Sequence, residues 1–303
     1  FIAAEFLSRN SPLFSIFVTH RKNPGGFFRN ETIAKTVVKH FEKRMTKQIL
    51  FIILTFLSIN VFGQTADELN EQSKKLIEQQ KFEEAIPILK KSAELGNAEA
   101  QYNLGYCYRA GAGVEQNTEK GIEWFAESAE QGFNDGLYQM MMAYGNGDGV
   151  AQDYKKAFEF GLKCAENGDG TCMWNVVNCY YSGMGVEKNM DKMLEWATRL
   201  GKLENPENLT KSGYITSVRL QLAQMYRDGG ELEKDIFKSY QWFLIFNEFK
   251  KDFSYIQQQQ IVKEIQELET KLTSDQKANG QKEAEKLLGR PLKNMENLYK
   301  AEL

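Results

Sequence analysis

Between residues 97 and 132, apolar side chains fall on two stripes of helical period separated by a glycine-rich turn. Ala100, Leu104 and Tyr108 stand at i, i+4 and i+8, which is one face of a helix. Gly111 follows, where a helix closes through a left-handed residue. A second helix opens at Asn117, whose short side-chain oxygen can accept from the free N–H groups of the first turn. Trp124, Ala126 and Ala129 form its expected buried set, and Gly132 ends it. The small residues at 126 and 129 let a neighbouring helix approach closely.

The pattern then recurs. Gly111-Ala112-Gly113-Val114 returns as Gly147-Asp148-Gly149-Val150 and Gly183-Met184-Gly185-Val186, each time 36 residues on. The same step links Tyr108, Tyr144 and Tyr180. It also links Lys120, Lys156 and Lys192, then Trp124, Phe160 and Trp196, and Gly96, Gly132 and Gly168. Leu222, Tyr226, Gly229, Lys238 and Trp242 keep the internal spacing of a fourth copy but arrive ten residues late, after a polar insertion around residues 202–213 that contains Asn205-Pro206. Asn117, Asp153, Asn189 and Asp235 share the capping register. Self-similarity at such a period marks a stacked repeat array.

A 36-residue helix pair with G-x-G-V, a capping Asn or Asp, Lys, Trp and a closing Gly resembles the Sel-one-like repeat (SLR) family, a branch of the tetratricopeptide-like α-solenoids. The resemblance covers about residues 97–247. It implies an all-α fold, a right-handed α-α superhelix of helix-turn-helix repeats with C-terminal capping helices. It also implies a non-catalytic scaffold that binds a protein or extended peptide on its concave surface. Met141 and Val177 depart from the family pattern, because Gly is usual there (Gly105 in the first unit). Helix spacing in the second and third units is therefore open at this point.

The flanks carry the same helical signal. Residues 64–96 resemble a tetratricopeptide helix pair, with Phe82-Glu83-Glu84-Ala85-Ile86 opening its second helix and Pro87 a potential kink. Within residues 248–303, Ile256, Ile261, Ile265 and Leu268 suggest an amphipathic helix. Thr273-Ser274-Asp275-Gln276 reads as the cap of another, ending near Leu288-Gly289 before Pro291. Terminal helices with a polar outer face close the exposed core of a solenoid.

Charge divides the chain. Overall it holds 38 Lys+Arg against 41 Asp+Glu, with no basic footprint for nucleic acid. Residues 1–63 carry 9 of those basic and 3 of those acidic side chains, so the remainder is at about −9. Met45-Thr46-Lys47-Gln48, the apolar run Ile49–Val61 and then Phe62-Gly63-Gln64 make the pattern of a secretory signal peptide over residues 45–63. Val61 and Gly63 sit at the two small-residue positions before the cut, and the run is too short for a comfortable permanent span. The expectation is export to a periplasm or beyond the cell, with cleavage near Gly63, no membrane span in the mature chain, and a partner outside the cytoplasm. Residues 1–44 read as an extension ahead of the true start. A genuine basic tail with one amphipathic stretch (Ile33, Val37, Val38, Phe41) is the alternative.

Both histidines, His20 and His40, lie ahead of residue 64. Beyond that point, His-ligated metal sites, Ser-His-Asp triads and Cys-His dyads are ruled out, and no metal or cofactor is expected. Ser274-Asp275-Gln276-Lys277 fits S-x-x-K, and Lys211-Ser212-Gly213 mimics K-T-G, the elements of a penicillin-recognising hydrolase. Their order is reversed and no S-D-N partner lies between them, so a helix cap and a loop explain them better. An exported hydrolase of cell-wall or β-lactam substrates, or a cell-wall-binding module, remains the alternative function.

Four cysteines fall at 107, 164, 172 and 179. Cys164 ends one helix and Cys172 begins the next, and a tight turn between antiparallel helices brings such positions within bridging range. The C-x7-C spacing also resembles the cysteine-rich exported members of the family, in which it forms a disulfide. Cys107 and Cys179, in one register two repeats apart, read as small buried packing residues.

The inner wall of a solenoid is built mainly from the first helix of each pair. Next to the buried Leu104 register, one row reads Asn103, Gln139, Asn175 and Gln221. All are amides, able both to donate to and to accept from an extended backbone. Three residues on, the row reads Tyr106, Met142, Asn178 and Gln224. Arg109 and Arg227 flank the ends, placed to take a carboxylate. These ten residues form the expected peptide-binding groove. The alternative is that the register simply tolerates polar residues. Tyr102, Tyr138 and Trp174 share a further register that reads as inter-helix packing.

Overall fold

The computed structural model describes residues 64–301, and within them the regular structure is helical. The proposed upstream extension and signal peptide lie outside the described residues. Helices α1 (Ala66–Glu78) and α2 (Phe82–Glu94) form the first pair. The repeat units follow as α3 (Ala98–Ala110) with α4 (Thr118–Glu130), α5 (Asn134–Asn146) with α6 (Tyr154–Glu166), and α7 (Gly170–Ser182) with α8 (Met190–Lys202). The fourth unit is α9 (Leu209–Asp228) with α10 (Ile236–Asn247), and α11 (Tyr255–Glu269) and α12 (Ser274–Leu288) close the chain. From α1 to α10 the members of each pair pack on one another, the second helix of each pair packs on the first helix of the next, and α11 and α12 both pack on α10.

Local chemistry explains the regularity. The side chains of Asn117, Asp153, Asn189 and Asp235 each accept from the N–H three residues on, at 2.9 to 3.0 Å. Their own N–H groups donate back to the carbonyls of Tyr108, Tyr144, Tyr180 and Tyr226 at 2.8 to 3.0 Å. The turn is thus tied to the helix before it and capped into the helix after it, in all four units. The second glycine of G-x-G-V meets the helix of the preceding pair. A Cβ at Gly149, where φ is +72°, would stand 2.9 Å from Ile122 Cγ1, so both backbone and space demand glycine.

Burial corrects several expectations. On α4 the inward residues are Ile122, Phe125, Ser128 and Ala129, whereas Trp124 and Ala126 are only half-buried. The helix is rotated toward Phe125 because Gly105 opposite leaves it room; a Cβ there would touch the ring at 2.7 Å. Helix α2 continues through Pro87. Ile256, expected on the stripe of α11, is 78% exposed, while Ile261, Ile265 and Leu268 are buried. The insertion at 202–213 is not wholly a loop: its end forms the first turn of α9, which has 20 residues against 13 in the other first helices.

That longer helix carries a buried arginine. Arg219, fully enclosed, donates to the carbonyls of Gly201 and Leu203 and to Asn205 Oδ1, each at 2.8 Å. Its guanidinium lies 3.7 Å from Glu248, also buried, which takes two hydrogen bonds from Arg290 at 2.6 and 2.8 Å. Asp252 accepts from Ser212 and Thr216 at 2.7 and 2.6 Å. This network binds the insertion, the end of α10 and the C-terminal segment into one closed end of the stack.

Cys164 and Cys172 form a disulfide with Cα atoms 5.7 Å apart. In the preceding units the same registers hold Ser92 with Ala100 and Ser128 with Gly136. The approach is close there too, since a Cβ on Gly136 would lie 2.8 Å from Ser128 Cβ. A small pair is needed at this crossing, and cysteines satisfy that need while adding a covalent tie. Cys107 is buried and free; Cys179 is half-buried and free.

Candidate functional site

The expected groove residues lie on consecutive first helices α3, α5, α7 and α9, and most are half-buried, with part of each side chain reaching solvent. Tyr106 is 49% exposed. Arg109 reaches across to the next unit and donates to Gln139 Oε1 at 2.7 Å, its guanidinium 5.8 Å above the Tyr106 ring and 5.4 Å from that of Phe125. Two members of the row are thereby joined, and Arg109 meets an amide where an external carboxylate was expected.

Further along, the amides are partly engaged. Asn175 and Asn178 donate back to the carbonyls of Thr171 and Trp174 on their own helix at 2.8 and 2.9 Å. Such a bond uses the N–H2 and leaves the side-chain carbonyl as an acceptor. Gln221 Oε1 is buried with no hydrogen-bond partner. Gln224 lies 3.5 Å from Glu264 on α11. Arg227, expected to receive a carboxylate from a partner, is paired within the chain with Asp228 at 2.7 and 2.8 Å and with Glu264 at 2.5 Å. Asp228 above all, with Glu264, raises its pKa against a smaller effect of burial and keeps it charged. The capping helix was legible in the sequence, but not that it would bring Glu264 to this end of the row.

Three concavities adjoin the row: one of about 390 Å³ beside Gln221 and Gln224, and two that share α5 and α7. The larger, about 530 Å³, is lined by Met141, Met142, Phe158, Asn175, Val176 and Met184 among others. The smaller, about 330 Å³, holds Tyr102, Tyr138, Gln139, Asp135, Asp169 and Tyr214 among its walls. Burial and the nearby Asp135 raise the Tyr102 phenol; burial, Tyr214 and Asp169 raise that of Tyr138. Tyr102 also packs near Phe125 and Phe133, and Trp174 stacks on Tyr214 with centroids 5.8 Å apart, so the aromatic register does pack between helices. Sequence reasoning missed Tyr214, because α9 was expected to start later, and it missed the larger cavity. Comparing registers 109 with 145 and 125 with 161 would have exposed the latter, since both change to glycine.

Catalytic and metal-binding candidates resolve into structure. Thr273 caps α12 in a capping box with Gln276, so Ser274 and Lys277 sit in an ordinary first turn, and Lys277 lies 4.0 Å from Glu269. Cys164, Asp169 and Cys172 offer ligand atoms within 4.8 Å of one another, but the sulfurs are bonded to each other and Asp169 caps α7. Among the described residues no helix is long and apolar enough to cross a membrane.

Helix pairs stacked in register, with partly exposed first helices and adjoining concavities, define an α-solenoid of the repeat-scaffold class. The Sel1 repeat model matches residues 98–133, 136–169, 172–205 and 219–245. The chain carries four Sel1 repeats. Among solved structures, a Sel1 repeat protein from Oxalobacter formigenes is similar at 22% identity and a TM-score of 0.56, over 71% of this chain and 84% of that one. A protective antigen of uropathogenic Escherichia coli strains, c5321, which displays an SLR fold, is similar at 25% identity and a TM-score of 0.56. That match covers 74% of this chain and 45% of the antigen's length. Comparison with curated proteins gave no match.

Proposed function

We propose that this chain is an exported scaffold that binds a protein or an extended peptide along its first-helix face, without catalysis of its own. Sel1 repeats typically mediate protein interaction, which supports the general reading. The observation that carries the specific one is the coincidence of the amide row with adjoining concavities: Gln139 lines one, Met142 and Asn175 line another, and Gln221 and Gln224 line a third. Amides at the rims can pair with main-chain groups while the concavities take side chains, which is how an extended segment is held with modest contact area. Export is supported by the signal-peptide pattern at residues 45–63 and by the disulfide, which persists in oxidising compartments.

Crosslinking with mass spectrometry on the exported protein in its own cells identifies the partner. Asn103→Ala with Gln139→Ala then reduces affinity at least tenfold; unchanged affinity would remove the groove. A second reading, a wall-polymer module, is favoured by the tyrosines of the smaller concavity standing beside Asp135, Asn134 and Thr171, the mixture of flat apolar rings and polar groups on which a sugar stacks. Retention on purified wall polymer, lost in Tyr138→Ala, separates it from a peptide binder.

A further inference from the structure

We infer that the larger concavity, in the second unit, is an anchor pocket for one bulky uncharged apolar side chain of the bound segment. This rests on the peptide-binding reading above. Its origin is visible in the repeat. In the first unit, Phe125 fills the space between the helices and Arg109 lies over it, reaching Gln139 of the next helix at 2.7 Å. One repeat later the same three registers read Gly161, Gly145 and Asn175. Neither large side chain recurs: Met141 takes up the contact at Gly161, the place of the arginine stays open beside Gly145, and all three residues line the concavity of about 530 Å³. The first unit fills this place with its own arginine; the second leaves it open.

The lining selects the occupant. Met141, Met142, Met184, Phe158 and Val176 supply an apolar wall, and no charged residue contributes. A cation or carboxylate entering it would lose its hydration without a counter-charge, so a neutral apolar side chain is the complementary guest. Thioether side chains adapt to aliphatic or aromatic shapes alike. At the mouth, Asn175 has committed its N–H2 to Thr171. Its carbonyl oxygen is left to accept a main-chain N–H from the segment that delivers the side chain.

Gly145 allows a test without damage to the fold. It is helical, and a Cβ there would meet only Ala157 Cβ, at 3.9 Å. Gly145→Leu therefore fills the pocket with no drop in melting temperature. The probe is N-acetyl-phenylalanine amide, titrated into protein carrying 13C-methyl methionine, with N-acetyl-lysine amide as the charged control. Expected are saturable shifts of the Met141, Met142 and Met184 methyls with the phenylalanine probe only, weakened at least tenfold in Gly145→Leu. No methyl shift, equal shifts with the lysine probe, or undiminished shifts in Gly145→Leu would each overturn the assignment. The amide variants report on the groove separately: capture of the natural partner lost in Asn103→Ala/Gln139→Ala but untouched by Gly145→Leu removes the anchor and keeps the groove. Methyl shifts without any effect of the amide variants keep the pocket and remove the groove.

Discussion

Met141 Sδ lies 2.9 Å from where a Cβ on Gly161 would stand. The first unit has the inverse arrangement, with Gly105 facing Phe125, and the third compromises with Val177 and Ala197. Large and small residues have exchanged helices across one contact, which offsets the loss of the family glycine at Met141. Gly161→Phe alone overpacks the contact, at a cost of about 1–3 kcal/mol. Combined with Met141→Gly, it recreates the first unit's pairing. A double-mutant cycle in urea should show favourable coupling of about 1–3 kcal/mol; simple additivity would mean that the two sites do not compensate.

The Cys164–Cys172 bridge closes a short loop at a crossing that is already tight, so it adds stability with little rearrangement. By loop entropy it contributes roughly 2–3 kcal/mol. Reduction, or Cys164→Ser with Cys172→Ser, should lower the melting temperature by several degrees while leaving the far-ultraviolet helical signal intact. Two thiols should titrate in the denatured oxidised protein; four would exclude the bridge.

Burial pushes the Cys107 thiol up to about 11. At pH 8 the thiolate is scarce and the sulfur enclosed, so iodoacetamide should label Cys107 far more slowly in the native protein than after unfolding. Mass spectrometry of timed samples reads this directly. Labelling at equal rates in both states would contradict the packing.

Glu248 ties the C-terminal segment to α10. Its burial pushes the carboxyl pKa up, but the hydrogen bonds of Arg290, the Lys293 N–H and the charge of Arg219 outweigh that and hold it below the usual range. The folded chain therefore binds this proton less tightly than the unfolded chain does. The resulting stability is complete above the ordinary glutamate pKa, about 4.3, and is lost as pH falls through the lower folded value. Glu248→Gln should be less stable at neutral pH and show a shallower acid limb in urea midpoints measured against pH. An unchanged acid limb would place the titration elsewhere.

Arg219 is the other half of that lock. Removing it leaves Glu248 one counter-charge short and frees the buried carbonyl of Gly201 and the part-buried one of Leu203. Arg219→Met should cost about 3–5 kcal/mol, the scale for breaking a buried pair. Hydrogen exchange should rise first at residues 201–216 and 290–297; uniform loss of protection across the stack would argue against a local lock.

The chain's sequence determined the repeat length, the helix caps, the turn glycines, the close cysteine pair and the all-helical class, because each follows from interactions within one or two turns of backbone. Asn117 needs only its own first turn to act as a cap. Tertiary structure decided the rest. Whether Trp124 or Phe125 turns inward depends on the glycine opposite. Arg227 is occupied because α11, nearly forty residues away in sequence, brings Glu264 against it. The open space beside Gly145 exists only where α5, α6 and α7 meet. Such properties belong to the gaps between helices, and the shape of a gap depends on side chains from several segments at once.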